Sequence, residues 1–172
     1  MKHALSIIFI VFLSGCSSNS SNKISLPLKD AKWDILNGNY EKKPISIRIN
    51  RTLENHIGSL KYEAAASVAI KKPLANGMPD SIELYDLNKM VNIMIEKLDK
   101  TGLAVYALEV ITDKTCDCIF YTDNKKAVKN ILSEIALNFK DYQIASAVKS
   151  DEMWMNYKWF SSYATTGYWG GL

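Results

Sequence analysis

From Ile45 the chain alternates. Ile45, Ile47 and Ile49 point one way and Ser46, Arg48 and Asn50 the other, the period of a half-buried strand. An Asn-Gly pair at Asn37 and Gly38 supplies a turn signal just upstream, so an N-terminal hairpin is expected there. A second alternation follows, with Tyr62, Ala64, Ala66, Val68 and Ile70 on one face. Its alanines also suit a helix, but Pro73 and Asn76-Gly77 close the segment with loop chemistry. The period then changes to that of a helix. Leu84, Leu87, Val91, Met94, Ile95 and Leu98 form one apolar stripe, with Asp80 or Ser81 to cap its start and Gly102 just past its end.

"LAVYALEVIT" and "CDCIFYTD" read as two strands joined by a tight turn near Asp113 and Lys114. Asp123 or Asn124 can cap a second helix, whose stripe is Val128, Ile131, Leu132, Ile135 and Phe139. "YQIASAVKS" reads as a last strand. From Tyr62 the order is therefore strand, helix, strand, strand, helix, strand. Two split strand–helix–strand units around a hairpin predict an α/β (α+β) class fold, a ferredoxin-like βαββαβ sandwich. Its sheet is antiparallel, two helices cover one face, and the N-terminal hairpin extends the sheet or covers part of the other face.

Upstream of this domain the pattern is different in kind. Lys2 and His3 precede an almost wholly apolar stretch from Ala4 to Leu13, and small residues lead to Cys16. That is the layout of a secretory signal. The apolar stretch is well short of the roughly 20 residues that span a bilayer. "LSGC" resembles the bacterial lipobox, which implies that Cys16 is the lipidation site. Its thiol would take a diacylglycerol, and it would carry acyl chains such as palmitate as the mature N-terminus. Each buried methylene of such chains contributes about 0.8 kcal/mol of membrane binding. Ser17 follows where an Asp would signal inner-membrane retention, so the resemblance implies a lipid-anchored protein of the outer membrane, facing the periplasm. The expected organisation is a signal peptide over 1–15, a flexible Ser/Asn tether over 16–30, one domain over 31–160 and an aromatic tail over 161–172. A domain of this length buries roughly 68–70% of its unfolded surface and needs no disulfide staples. The formal charge of +3 drops to +2 when Lys2 leaves with the signal. There is no basic stripe, so no nucleic-acid partner is expected.

Charge and composition leave few residues for chemistry. Cys116 and Cys118 sit two apart, on the same side of a strand and roughly 6.6 Å apart along it. A disulfide wants Cβ atoms about 3.8 Å apart, so an internal bridge would break the strand. Two thiolates could begin a soft-metal or redox site, but structural zinc takes about four ligands. His56 is the one histidine after the signal, and nothing in the sequence places it nearby. Phe120 shares the cysteine face, and free cysteine is among the most buried residue types. The pair therefore reads as core beneath the helices, with a metal-handling or redox pair as the alternative. An intermolecular disulfide in an oxidising compartment is a further alternative. "DEMWMNYKWFSSYATTGYWGGL" carries Trp154, Tyr157 and Trp159 among many aromatics. Asp151 can cap a short helix here. Trp154 and Tyr157 read as a lid on the sheet, and all three aromatics are the candidate partner-binding residues, because Trp and Tyr are enriched at interfaces. No catalytic motif such as G-x-S-x-G or H-E-x-x-H occurs, and no cofactor is called for.

Four features together resemble the bacterial family catalogued as domain of unknown function 695. They are Trp33, "GMP" at Gly77 to Pro79, "FYTD" closing the central hairpin, and "DEMWMNY". The similarity spans roughly residues 30 to 160. It implies an Asp-x-x-Trp-x-x-Tyr motif at Asp151, Trp154 and Tyr157, with Tyr121 in the hairpin strand. The family sometimes accompanies a domain similar to the ribonuclease E inhibitor RraB, which implies a ferredoxin-like fold and an RraB-like regulatory alternative. No catalytic residues are implied. The leading expectation is a non-enzymatic envelope lipoprotein that binds a protein partner, a periplasmic immunity protein being one concrete version.

Overall fold

The computed structural model describes residues 31–166. The signal segment, Cys16, the tether and the last residues of the aromatic tail lie outside the described residues. Six strands form one antiparallel sheet in the order β1-β2-β4-β5-β3-β6. They are β1 (Trp33–Tyr40), β2 (Lys43–Asn50), β3 (Tyr62–Ala69), β4 (Val105–Thr112), β5 (Thr115–Thr122) and β6 (Ile144–Ser150). A 3-10 turn, Arg51–His56, follows β2. Helix α1 (Ser81–Met94) runs on into one π turn over Ile95–Asp99, α2 is Lys125–Asn138 and α3 is Met155–Thr166. The four later strands stand in the order β4-β5-β3-β6, the split strand–helix–strand arrangement that the sequence pattern predicts. The N-terminal hairpin extends the sheet beside β4, through β2.

Strand period 2 divides the core into two halves. On one face Ala64, Ala66, Val68, Cys116, Cys118 and Phe120 pack under α1 and α2, against Leu87, Met90, Met94, Val128, Leu132 and Ile135. On the other face Ile45, Ile47, Ile49, Val110, Ile119 and Tyr121 pack under the 3-10 turn and α3, against Leu53, Trp154 and Tyr157. Asp80 caps α1 by accepting from the Glu83 N–H at 2.8 Å, and Asn124 caps α2 through Ala127 N–H at 3.1 Å.

Several details differ from the sequence pattern. Asn37 and Gly38 do not turn. They lie within β1, paired with Ser46 and Ile45, and the chain reverses at Glu41 and Lys42, both with positive φ. The register that sets Ile47 on Val110 and Ile49 on Leu108 fixes where β2 begins, and that outweighs the local Asn-Gly preference. The β4–β5 turn is at Asp113 and Lys114 as expected, again with positive φ at both. Leu84 is 38% exposed, while Met90 takes its place in the stripe. Glu83 turns inward instead, its carboxylate accepting from the Lys71 N–H at 3.1 Å. The segment expected to begin a tail at 161 continues as helix through Thr166, and Arg51 Nη1 donates to Ser161 Oγ at 2.8 Å.

A β-bulge at Ala107 breaks the β4–β5 register. Tyr106 faces Phe120, yet Leu108 faces Ile119. The extra residue inverts the parity of β4 from that point on. Ala107, Leu108 and Val110 serve the α3 face, whereas Tyr106 and Glu109 both end on the helix face.

Candidate functional site

Two places among the described residues carry the candidate chemistry. The first is a cleft of about 370 Å³ beside α3, where the helix leaves the sheet floor uncovered. Ile45, Val110 and Ile119 make its floor, and Tyr40, Trp159 and Phe160 make an aromatic wall. Trp159 meets Tyr40 edge-on at 5.7 Å and Phe160 at 4.6 Å between ring centroids. Asp117 and Asn156 bring polar atoms to the same space. Asp117 Oδ1 is buried without a hydrogen-bond partner among the described residues. Burial raises the pKa of this carboxyl, an effect eased in part by the Ser67 hydroxyl across the β3–β5 ladder. A mostly apolar recess with one under-satisfied acceptor is suited to a ligand that carries a donor or a cation on an apolar stem.

Of the expected contact aromatics, only Trp159 reaches this surface. Trp154 and Tyr157 are both 0% exposed, which corrects the partner-binding assignment for these two. Trp154 stacks on Tyr121 at 3.8 Å and donates its indole N–H to the Leu60 carbonyl at 2.8 Å. Tyr157 donates its hydroxyl to the Asn50 carbonyl at 2.7 Å. Asp151 accepts from the Met155 N–H and from the Tyr121 hydroxyl, so the acidic residue caps α3 and ties it to β5 together. A polar pair supports this junction. Glu63, 2% exposed, accepts from Asn156 Nδ2 at 2.8 Å and pairs with Lys149 at 3.1 Å. Burial nevertheless holds its carboxyl above the usual range, with Lys149 and Asn156 opposing that shift.

The second place is the cysteine pair. Cys116 and Cys118 are free thiols, buried under the helices. A third donor joins them that the sequence pattern did not single out. Glu109 is directly opposite Cys118 in the β4–β5 ladder, and one donor atom from each of Glu109, Cys116 and Cys118 lies within 4.8 Å of the others. Tyr106 donates its hydroxyl to Glu109 Oε2 at 2.7 Å. The facing Cys116 thiol, and then burial, hold the Cys118 thiol well above its usual range, and burial does the same to the Tyr106 phenol. Strict alternation from Val105 would have sent Glu109 to the opposite face from Tyr106. The bulge was the missing signal.

The remaining features of the sequence resemblance also act on the fold. Trp33 holds the Arg48 guanidinium 4.8 Å from its ring and touches Tyr106 at 5.2 Å. Gly77, at φ +86°, lets its loop rest on the β4–β5 turn, where its carbonyl accepts from Lys114 N–H at 3.0 Å. In "FYTD", Thr122 donates to the Leu103 carbonyl at 2.6 Å and Asp123 accepts from the Lys61 N–H at 3.0 Å.

These observations define an α/β sandwich with a sheet covered on both faces and an aromatic cleft beside its last helix. The profile of a family described as "Family of unknown function (DUF695)" matches residues 31–161, and the chain belongs to that family. No curated protein and no solved structure gives a significant match.

Proposed function

We propose that this chain is an envelope lipoprotein, anchored through acylated Cys16 in the outer membrane and facing the periplasm, whose domain binds a protein partner rather than catalysing a reaction. The observation that carries the binding reading is the cleft beside α3. Among the described residues its buried Asp117 Oδ1 lacks a hydrogen-bond partner, and Tyr40, Trp159 and Phe160 stand around the same space. A lysine or arginine side chain from the partner matches both features. Its apolar stem fits the Ile45, Val110 and Ile119 floor, its charge meets the carboxylate, and the aromatic faces add cation–π attraction. A periplasmic immunity protein, occupying a basic group of a delivered toxin, is one concrete form of such a binder.

Site-specific photo-cross-linking in intact envelopes tests this. A photoreactive residue at Trp159 should give a discrete protein adduct. Asp117→Lys should abolish it by placing a like charge where the partner's cation would sit. The same probe at Ile35, which is 68% exposed on β1, should not give that adduct. An adduct indifferent to Asp117→Lys, or equal at Ile35, would overturn the assignment of the cleft.

A further inference from the structure

We propose that Cys116, Cys118 and Glu109 form a binding site for one thiophilic divalent cation of the zinc class, with Tyr106 orienting the carboxylate. The assignment is independent of the partner-binding cleft, which opens on the other face of the sheet.

Four observations converge on it. The donor set is chemically apt, since two thiolates and a carboxylate are zinc ligands and structural or catalytic zinc sites draw on these types. The spacing is close. Their donor atoms lie within 4.8 Å of one another, and a tetrahedral zinc with bonds of about 2.0–2.3 Å sets its ligands roughly 3.5–3.8 Å apart, so rotation of side chains closes the difference. The arrangement also depends on a specific backbone device. Without the Ala107 bulge, Glu109 would point to the α3 face; with it, the carboxylate is set opposite Cys118. Finally, the Tyr106 hydroxyl occupies Glu109 Oε2 and leaves the other oxygen for an ion, the outer-shell pattern that orients carboxylate ligands.

A plain core would not need this acid. Glu109 is 7% exposed, and among the described residues it has no ion pair. Its ladder neighbour on the other side is Arg48, whose guanidinium lies over Trp33 and leaves positive charge near the site. Thiol ligands bind a metal as thiolates, so loading a divalent ion releases protons to solvent. Two thiolates, one carboxylate and the ion then sum to −1, which Arg48 and the Tyr106 hydroxyl help to offset. Three protein ligands leave a fourth position on the ion, which a water can fill.

The test is a titration of the full-length, chelator-treated protein with cadmium, the spectroscopic surrogate for zinc. Thiolate-to-cadmium charge-transfer absorbance should rise to one equivalent, zinc should displace it, and protons should be released. Cys116→Ser and Cys118→Ser should each lose the band. Glu109→Gln and Tyr106→Phe should keep a band while binding roughly 10–100-fold more weakly, the usual effect of altering ligand or outer-shell groups. Near-ultraviolet circular dichroism of each variant confirms that the fold is retained. If a cysteine variant unfolds, the Glu109→Gln and Tyr106→Phe affinities decide alone. No band in the folded native protein, or a native affinity in both Glu109→Gln and Tyr106→Phe, would overturn the site. Either result would leave the cross-linking experiment at Trp159 unaffected.

Discussion

The indole of Trp154 lies flat on the ring of Tyr121, their centroids 3.8 Å apart and their planes 6° from parallel. Trp154 reaches this position with φ +53°, a backbone conformation unfavourable for a bulky residue. The surrounding contacts hold it there. Asp151 receives the Tyr121 hydroxyl, Tyr157 meets Trp154 edge-on at 5.8 Å, and the indole N–H is bound by the Leu60 carbonyl. The Asp-x-x-Trp-x-x-Tyr motif therefore docks α3 onto the sheet. Trp154→Ala should cost about 3–5 kcal/mol, the usual penalty for emptying a large aromatic site in a core. Tyr157→Phe removes one buried hydrogen bond and should cost about 1 kcal/mol. Urea unfolding of the two variants measures both. Comparable small losses would mean that α3 is not held by the tryptophan.

How much of this was legible follows from what each signal depends on. The stripes of α1 and α2 and the alternation in β2 and β3 are local, and the strand and helix order was readable from them. So was the burial of Cys116, Cys118 and Phe120, because their parity survives along β5. Two features were not local. The turn at Glu41 and Lys42 is fixed by how β2 registers on β4, so Asn37-Gly38 misled. The Ala107 bulge has no marker in its own residues, and it alone moves Glu109 to the cysteines. The cleft was half visible. Trp159 is marked by its aromatic ring, but nothing local marks Asp117 between two cysteines, since its chemistry comes from the loss of water and not from its neighbours in sequence.

The first hairpin offers a test of that register argument. Glu41 and Lys42 adopt φ +48° and +66°, the left-handed pair of a two-residue turn that favours Asn-Gly. Lys42 is exposed and its side chain has no hydrogen bond or ion pair among the described residues. Lys42→Gly should therefore stabilise the protein by roughly 0.5–1 kcal/mol by relieving the strained φ. Thermal denaturation reads the gain. A loss instead would place the turn elsewhere.

Asp99 makes stability depend on pH. Burial at the end of the π turn raises its carboxyl from 3.8 to about 6, opposed by the Tyr106 N–H. A folded-state pKa above the unfolded value favours the protonated folded form. The stabilising contribution is full below about pH 3.8 and is lost as pH rises through about 6. A shift of this size corresponds to at most about 3 kcal/mol, less where solvent reaches the group. Asp99→Asn should be more stable than the native protein at pH 7 and lose that advantage by about pH 4. Unfolding curves at the two pH values check it, and an advantage that does not change with pH would contradict the shift.

The proposed envelope anchor rests on one thiol, Cys16. If Cys16 is acylated, Cys16→Ser should incorporate no labelled palmitate and remain as an unprocessed precursor or be released in soluble form. Metabolic labelling followed by membrane fractionation reads both. Continued labelling of the serine variant would remove the lipobox reading and leave the domain assignment intact.

Asp117 links the fold to the cleft. Its carboxyl is raised by burial, so its ionised form is disfavoured in the free protein. The sign for stability matches that of Asp99. Stability contributed by the protonated acid is present at low pH and is lost as pH rises through the raised folded-state pKa. A cation from the proposed partner would act in the opposite direction, because it favours the carboxylate and supplies the contact that Oδ1 lacks among the described residues. Two opposite effects should then arise from one substitution. Asp117→Asn should leave the free protein as stable as the native one or more so at neutral pH, while weakening capture of a basic partner at Trp159. Partner capture by the native protein should itself weaken as pH falls through the pKa of Asp117, and the variant should not share that dependence. Denaturation of the free protein and cross-linking yield across pH measure the two halves. A variant that loses stability and keeps its partner would assign Asp117 to the fold and leave the cleft without its charge.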